Sequence, residues 1–227
     1  MINTNRAIPA ADIRLLIFDL DGTLVDSRLD LTNSINAMLR QFRKPELPCD
    51  VIASYIGDGA PMLVRRALGD PDEEAVVQEA LNYFLAYYRE HKLDNTRVYD
   101  GVLDMLDAVR SDGGRRLAVL SNKPVGPSRA IVDALEMRRF FFEVFGGNSF
   151  HTKKPDPQGV FELIRQAECQ PQQAVIIGDS DIDVLTARNA GIFSLGVSYG
   201  FAPHTFEAAP PDVLVDAPGE ITAVLHA

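Results

Sequence analysis

Residues 13–27 read Ile-Arg-Leu-Leu-Ile-Phe-Asp-Leu-Asp-Gly-Thr-Leu-Val-Asp-Ser. The apolar run from Ile13 to Phe18 stops abruptly at Asp19 and Asp21, and Gly22 follows. A short uninterrupted run of this kind predicts a strand buried on both faces, as in a parallel sheet. In such sheets ligands bind beyond the carboxyl ends of the strands, which is where this acid pair stands. Two carboxylates with one residue between them suit a metal-binding nucleophile beside a proton-handling partner. An acidic strand-to-turn junction gives the same bare pattern. The pair therefore needs support from elsewhere in the chain.

Working outward, similar runs recur at Leu117–Leu120, Phe141–Phe145, Val175–Ile177, Ile192–Val197 and Val213–Val215. Helical spacing lies between most of them, in Val102, Leu103, Leu106 and Val109, in Ile131, Val132 and Leu135, and in Val160, Phe161 and Ile164. Strands alternating with helices predict a doubly wound, Rossmann-like α/β domain with a parallel sheet. Residues from about Ser27 to Asn95 break the rhythm, with helical spacing in Leu31, Ile35, Met38, Leu39 and Phe42 and no convincing strand. Pro71 followed by Asp72, Glu73 and Glu74 predicts a further helix start, since proline and acids suit a first turn. The expected organisation is a core of residues 1–26 and 97–227 with a helical cap, 27–96, inserted after the first strand.

The composition is that of a globular chain: 227 residues, 46% hydrophobic and 24% charged. No stretch reaches the roughly 18–20 apolar residues that cross a bilayer. Met1–Ala11 lacks a signal-peptide pattern and reads as an unstructured lead-in, which points to a cytoplasmic protein. Cys49 and Cys169 are too few and too isolated for a disulfide framework or a zinc site. A net charge of −10 repels nucleic acid and anionic membrane, so neither is an expected partner. An anionic substrate would need a metal ion or a few placed Lys and Arg residues.

Three further segments carry candidate chemistry. Val175-Ile-Ile-Gly-Asp-Ser-Asp-Ile-Asp183 is a strand ending in three acids, Asp179, Asp181 and Asp183. Carboxylates at two strand ends can share one Mg²⁺, although acids also open helices. Leu117-Ala-Val-Leu-Ser121-Asn122-Lys123 ends a strand in hydrogen-bond donors that suit a phosphoryl oxygen, and equally suit a turn or helix cap. Lys153-Lys154-Pro155-Asp156-Pro157 places cations before a helix. In a parallel sheet the strand ends share one edge, so these groups can converge with Asp19 and Asp21.

These motifs, in this order and over nearly the whole chain from Ile13, resemble the haloacid dehalogenase superfamily, specifically its phosphoglycolate phosphatase-like members. The resemblance implies a Mg²⁺-dependent phosphomonoester hydrolase acting on a small phosphorylated metabolite. Asp19 would attack phosphorus, and Asp21 would protonate the leaving oxygen and later activate water. Ser121 and the backbone at Asn122 match the phosphate-binding motif, and Lys154, rather than Lys153, matches the motif lysine. Asp179 matches the side-chain metal ligand beside Asp19 and the Asp21 carbonyl. Asp183 matches the second acid of that motif, ligating directly or through water, and Asp181 has no role to carry over. In the cap, Tyr55-Ile-Gly57-Asp-Gly59-Ala-Pro-Met-Leu-Val-Arg65-Arg66 resembles a family loop and helix. It implies that Gly57 and Gly59 approach substrate and that Arg66 meets its carboxylate or is merely solvated. Tyr83, Phe84, Tyr87 and Tyr88 read as cap core and rim rather than a substrate platform.

Other readings differ in what they require. A dehalogenase needs no acid at position 21, and a phosphonate hydrolase needs a cap lysine, for which only Lys44 and Lys92 are on offer. A sugar-phosphate phosphatase or phosphomutase needs a cap that grips a larger alcohol. A phospho-acceptor signalling protein would keep its acid pair and acceptor on different strands, without a helical insert. The sequence leaves open the physiological ester and whether the chain is a monomer or a small homo-oligomer.

Overall fold

A computed structural model of the chain describes residues 2–111 and 114–226. The elements run β1 (Asn3–Thr4), β2 (Leu15–Phe18), β3 (Val25–Asp26), α1 (Arg28–Gln41), α2 (Cys49–Ala53), α3 (Ala60–Ala67) and α4 (Glu74–His91). Then follow β4 (Arg97–Val98), α5 (Val102–Ser111), β5 (Arg116–Leu120), α6 (Val125–Ala134) and β6 (Phe141–Phe145). The chain closes with α7 (Gln158–Ala167), β7 (Ala174–Gly178), α8 (Asp181–Ala190), β8 (Phe193–Val197), β9 (Val213–Val215) and α9 (Pro218–Leu225).

Strands pack in the order β6-β5-β2-β7-β8-β9-β1, with only β1 antiparallel to its neighbour. This is a doubly wound order in which the first long strand, β2, lies between β5 and β7. The sheet changes direction there, and a crevice opens beyond the strand ends. Period-two alternation explains why β2 is so apolar. Leu16 and Phe18 enter the core on one face, and Leu15 and Ile17 enter the core on the other. All four side chains are fully buried.

The helical insert α1–α4 has its own core, built from Leu31, Ile35, Met38 and Leu39 of α1, Leu63 and Val64 of α3, and Phe84 of α4. Its entry and exit are paired as a short antiparallel ribbon, β3 with β4, with Val25 opposite Val98. Just inside, buried Asp30 locks the two crossings together. It accepts hydrogen bonds from Asn95 N and Nδ2 at 3.0 and 2.8 Å, and from Thr96 N and Oγ1 at 2.8 and 2.7 Å.

Two expectations change. The lead-in is partly ordered, because Asn3 and Thr4 pair with Leu214 and Val213 along the sheet edge; Met1 lies outside the described residues. The helix expected to open at Pro71 begins at Glu74, with Glu73 as its cap residue. The ribbon β3–β4 lies at the two crossings between core and insert, where two-residue strands leave no periodicity to read.

Candidate active site

Asp19 follows β2 directly. Its N–H donates to the Ile177 carbonyl at 2.9 Å, which carries the β2–β7 ladder one residue past the strand and fixes the side chain at the sheet edge. Lys154 arrives from the loop before α7. Its Nζ lies 3.0 Å from Asp19 Oδ1 and donates to Asp183 Oδ1 at 2.6 Å. Burial opposes charge on this amine, but Asp183 and Asp19 outweigh it and hold the lysine pKa above its ordinary value.

Asp19, Asp179 and Asp183 are all buried and each offers an oxygen within 4.8 Å of the others. Asp179 is anchored by the Phe201 and Ala202 N–H groups, which donate to its Oδ2 at 2.6 and 3.4 Å. Gly22, at φ +82°, makes room for this carboxylate, because any Cβ there would overlap it. Burial raises the Asp19 pKa to about 6, with Lys154 pulling it down and Asp183 and Asp21 pushing it up. Burial, then the Asp19 and Asp183 charges, raises Asp179 to about 8. Three buried, mutually repelling carboxylates with Lys154 beside two of them fit a hard divalent cation, which takes oxygen ligands.

Asp183 is the most heavily engaged of the three. Its Oδ1 accepts from Lys154, and its Oδ2 accepts from Ser180 N and Oγ at 3.3 and 3.0 Å, capping α8. Asp21 stands outside the acidic cluster. Its Oδ1 accepts from Ser27 Oγ, and Lys123 Nζ donates to its two oxygens at 2.9 and 3.0 Å. Two nearby acids thus occupy different electrostatic settings on one edge.

Ser121 continues β5 by donating its N–H to the Phe145 carbonyl at 3.1 Å. Asn122 Nδ2 donates to the carbonyls of Gly57 at 2.9 Å and Lys154 at 3.0 Å, tying the insert's glycine loop to the lysine loop. Lys153 Nζ reinforces that tie through the Asp58 carbonyl. A cavity of about 50 Å³ remains between insert and sheet. Asp19, Asp21, Ser121, Lys123 and Asp179 line its floor. Gly57, Gly59 and Tyr88 face it from the insert.

The chain's haloacid dehalogenase-like hydrolase match spans residues 16–197. The protein belongs to this family. Among curated relatives, phosphoglycolate phosphatase of Pseudomonas putida (strain KT2440) is 36% identical over 226 residues, covering 95% of this chain and 81% of that one. Phosphoglycolate phosphatase of Psychrobacter arcticus is 38% identical over 197 residues, covering 84% and 85%. A crystal structure described as a predicted phosphoglycolate phosphatase from Haemophilus somnus superposes with a TM-score of 0.87 at 31% identity, covering 94% of this chain and 98% of that one.

Of the site residues expected for this haloacid dehalogenase-like hydrolase, the structure gathers Asp19, Asp21, Ser121, Asn122, Lys154, Asp179, Asp183, Gly57 and Gly59 around one crevice. Arg66 is not brought there. Its guanidinium pairs with Asp58 at 2.6 Å, donates to the Tyr55 carbonyl at 3.3 Å, and borders a separate cleft. Residues 123 and 88 are the ones sequence reasoning missed. Lys123 follows the Ser-Asn pair in the same string, and that adjacency was the available signal. Tyr88, expected in the cap core or rim, does pack there but also faces the cavity. No helix among the described residues is long and apolar enough to cross a membrane.

Proposed function

We propose that this hydrolase is a phosphatase that cleaves a phosphomonoester through a phosphoaspartate on Asp19, with phosphoglycolate as substrate. The observation that carries the reading is the split setting of the acid pair: Asp19 lies against Lys154 and the acidic cluster, Asp21 against Lys123 and Ser27. An Asp19 oxygen bonds to phosphorus as the bond from phosphorus to the alcohol oxygen breaks, and Asp21 gives that oxygen its proton. Water then attacks the same phosphorus, Asp21 takes the water's proton, and the bond to Asp19 breaks to release phosphate. Ser121 Oγ and the Asn122 N–H supply donors to the phosphoryl oxygens, while Lys154 offsets the clustered negative charge.

In this reading Asp19, Asp179 and the Asp21 carbonyl would hold Mg²⁺, with Asp183 supporting them from outside. When bound, the ion supplies positive charge to the nucleophile and the phosphoryl oxygens. Residues 27–96 act as a cap that excludes water from the crevice, with the Asn122–Gly57 bond marking the closed position. The name borne by relatives at 36–38% identity supports phosphoglycolate. The test is kcat/KM with Mg²⁺ across phosphoglycolate, sugar phosphates, nucleotides and acetyl phosphate. Phosphoglycolate is expected to rank first, and parity with acetyl phosphate overturns that choice. Asp19→Asn is expected to abolish turnover, and residual Mg²⁺-dependent hydrolysis by it overturns the nucleophile assignment.

A further inference from the structure

We infer that Lys123 and Tyr88 form a carboxylate-binding subsite that selects esters whose leaving alcohol is a short 2-hydroxy acid. This inference rests on the phosphatase reading of the crevice. Three observations meet at one point. Lys123 is the only Lys or Arg among the described residues that line the cavity, and its side chain is 5% exposed. Tyr88, at the same wall, is 3% exposed, and its buried hydroxyl has the Lys123 ammonium as a neighbouring donor but no acceptor for its own O–H among the described residues. The Lys123 ammonium stands 4.6 Å from the centre of the Tyr88 ring. The remaining cap wall is apolar, with Leu31, Ile56, Leu63 and Phe84. Among the described residues that line the cavity, an anionic tail has no other cation to meet.

Connectivity places the tail correctly. Asp21 touches the leaving oxygen in the first step, and Lys123 touches Asp21 at 2.9 Å. In a 2-hydroxy acid the carboxylate carbon is two bonds from that same oxygen, so it lands beside Lys123. An ammonium has three N–H donors and can serve Asp21 and a substrate carboxylate together. The Tyr88 hydroxyl is a second donor, and a buried O–H without an acceptor is costly until it finds one. A neutral alcohol would leave the Tyr88 O–H and the remaining Lys123 N–H without an acceptor. Tyr88 belongs to the insert and Lys123 to the sheet, so the subsite is complete only when the insert is closed.

The test compares phosphoglycolate with ethyl phosphate, a two-carbon ester without the carboxylate, in the wild type, Lys123→Met and Tyr88→Phe. Both esters use the same Asp21, so their kcat/KM ratio within each variant cancels any damage to proton transfer or folding. The wild type is expected to prefer phosphoglycolate. Lys123→Met is expected to cut the preference by roughly 10- to 100-fold, the range for a hydrogen bond to a charged group. Tyr88→Phe, which keeps the ring, is expected to cut it by about 3- to 10-fold, mainly through KM. An unchanged ratio in both variants overturns the subsite and leaves Lys123 as a positioning residue for Asp21. Equal wild-type turnover of the two esters overturns the subsite alone, and hydrolysis of neither overturns the phosphatase reading together with it.

Discussion

Replacing Asp183 with Asn tests where the metal site ends. Both carboxylate oxygens are already engaged, Oδ1 by Lys154 at 2.6 Å and Oδ2 by Ser180 N and Oγ at 3.3 and 3.0 Å. The amide has the same shape but only one acceptor oxygen, so it can keep one engagement and must present N–H donors to the other. If the oxygen stays with Lys154, the cap of α8 is lost; if it stays with Ser180, a buried ammonium loses its shortest bond. Removing one member of a buried ion pair costs about 3–5 kcal/mol, and an amide that still accepts one hydrogen bond brings this down to roughly 2–3 kcal/mol. An outer support of a metal site typically changes affinity by about 10- to 100-fold. Asp183→Asn is therefore expected to weaken Mg²⁺ within that range, while Asp179→Asn abolishes measurable binding. Calorimetric titration, with the Mg²⁺-dependent rise in Tm as a second readout, distinguishes them. If Asp183→Asn loses Mg²⁺ binding as completely as Asp179→Asn, then Asp183 ligates the ion directly and the reasoning from its saturated oxygens fails.

Two further perturbations probe the scaffold. Asp30→Ala strands four donors on Asn95 and Thr96 and is expected to cost about 3–5 kcal/mol, with faster amide exchange at both residues; unchanged exchange there refutes the lock. Gly22→Ala is expected to cost about 1–3 kcal/mol from its positive φ, and to weaken Mg²⁺ by displacing the Asp179 carboxylate. Denaturant unfolding and metal titration on the same variant separate the two effects.

What the sequence made legible follows from range. Long buried strands such as β2 and β7 announce themselves because both faces are apolar, and their acidic ends mark the crevice. Two-residue strands at an exposed edge or a crossing carry no such pattern, so β1 and the β3–β4 ribbon were invisible. Arg66 illustrates a different limit: its position in the loop-helix string suggested a substrate contact, but Asp58, eight residues earlier, takes the guanidinium. The pairing of Lys123 with Asp21 spans 102 residues, and only the sheet order brings the two together. Asp183 was more readable than it was read. Ser180 three residues before it has the spacing of a helix capping box, which already implied that one oxygen was committed.

The ribbon at the base of the insert bears on how such enzymes diversify. Because Val25 faces Val98 across one strand spacing, about 5 Å, the two ends of the insert emerge side by side. Any helical module with adjacent termini can be grafted at that doorway without altering the order of the sheet. Replacing the module would change one wall of the cavity, while Asp19, Lys154 and the acidic cluster stay in place on the core. The alcohol is thus read jointly, by Tyr88 on the exchangeable module and Lys123 on the fixed core, across a two-residue seam.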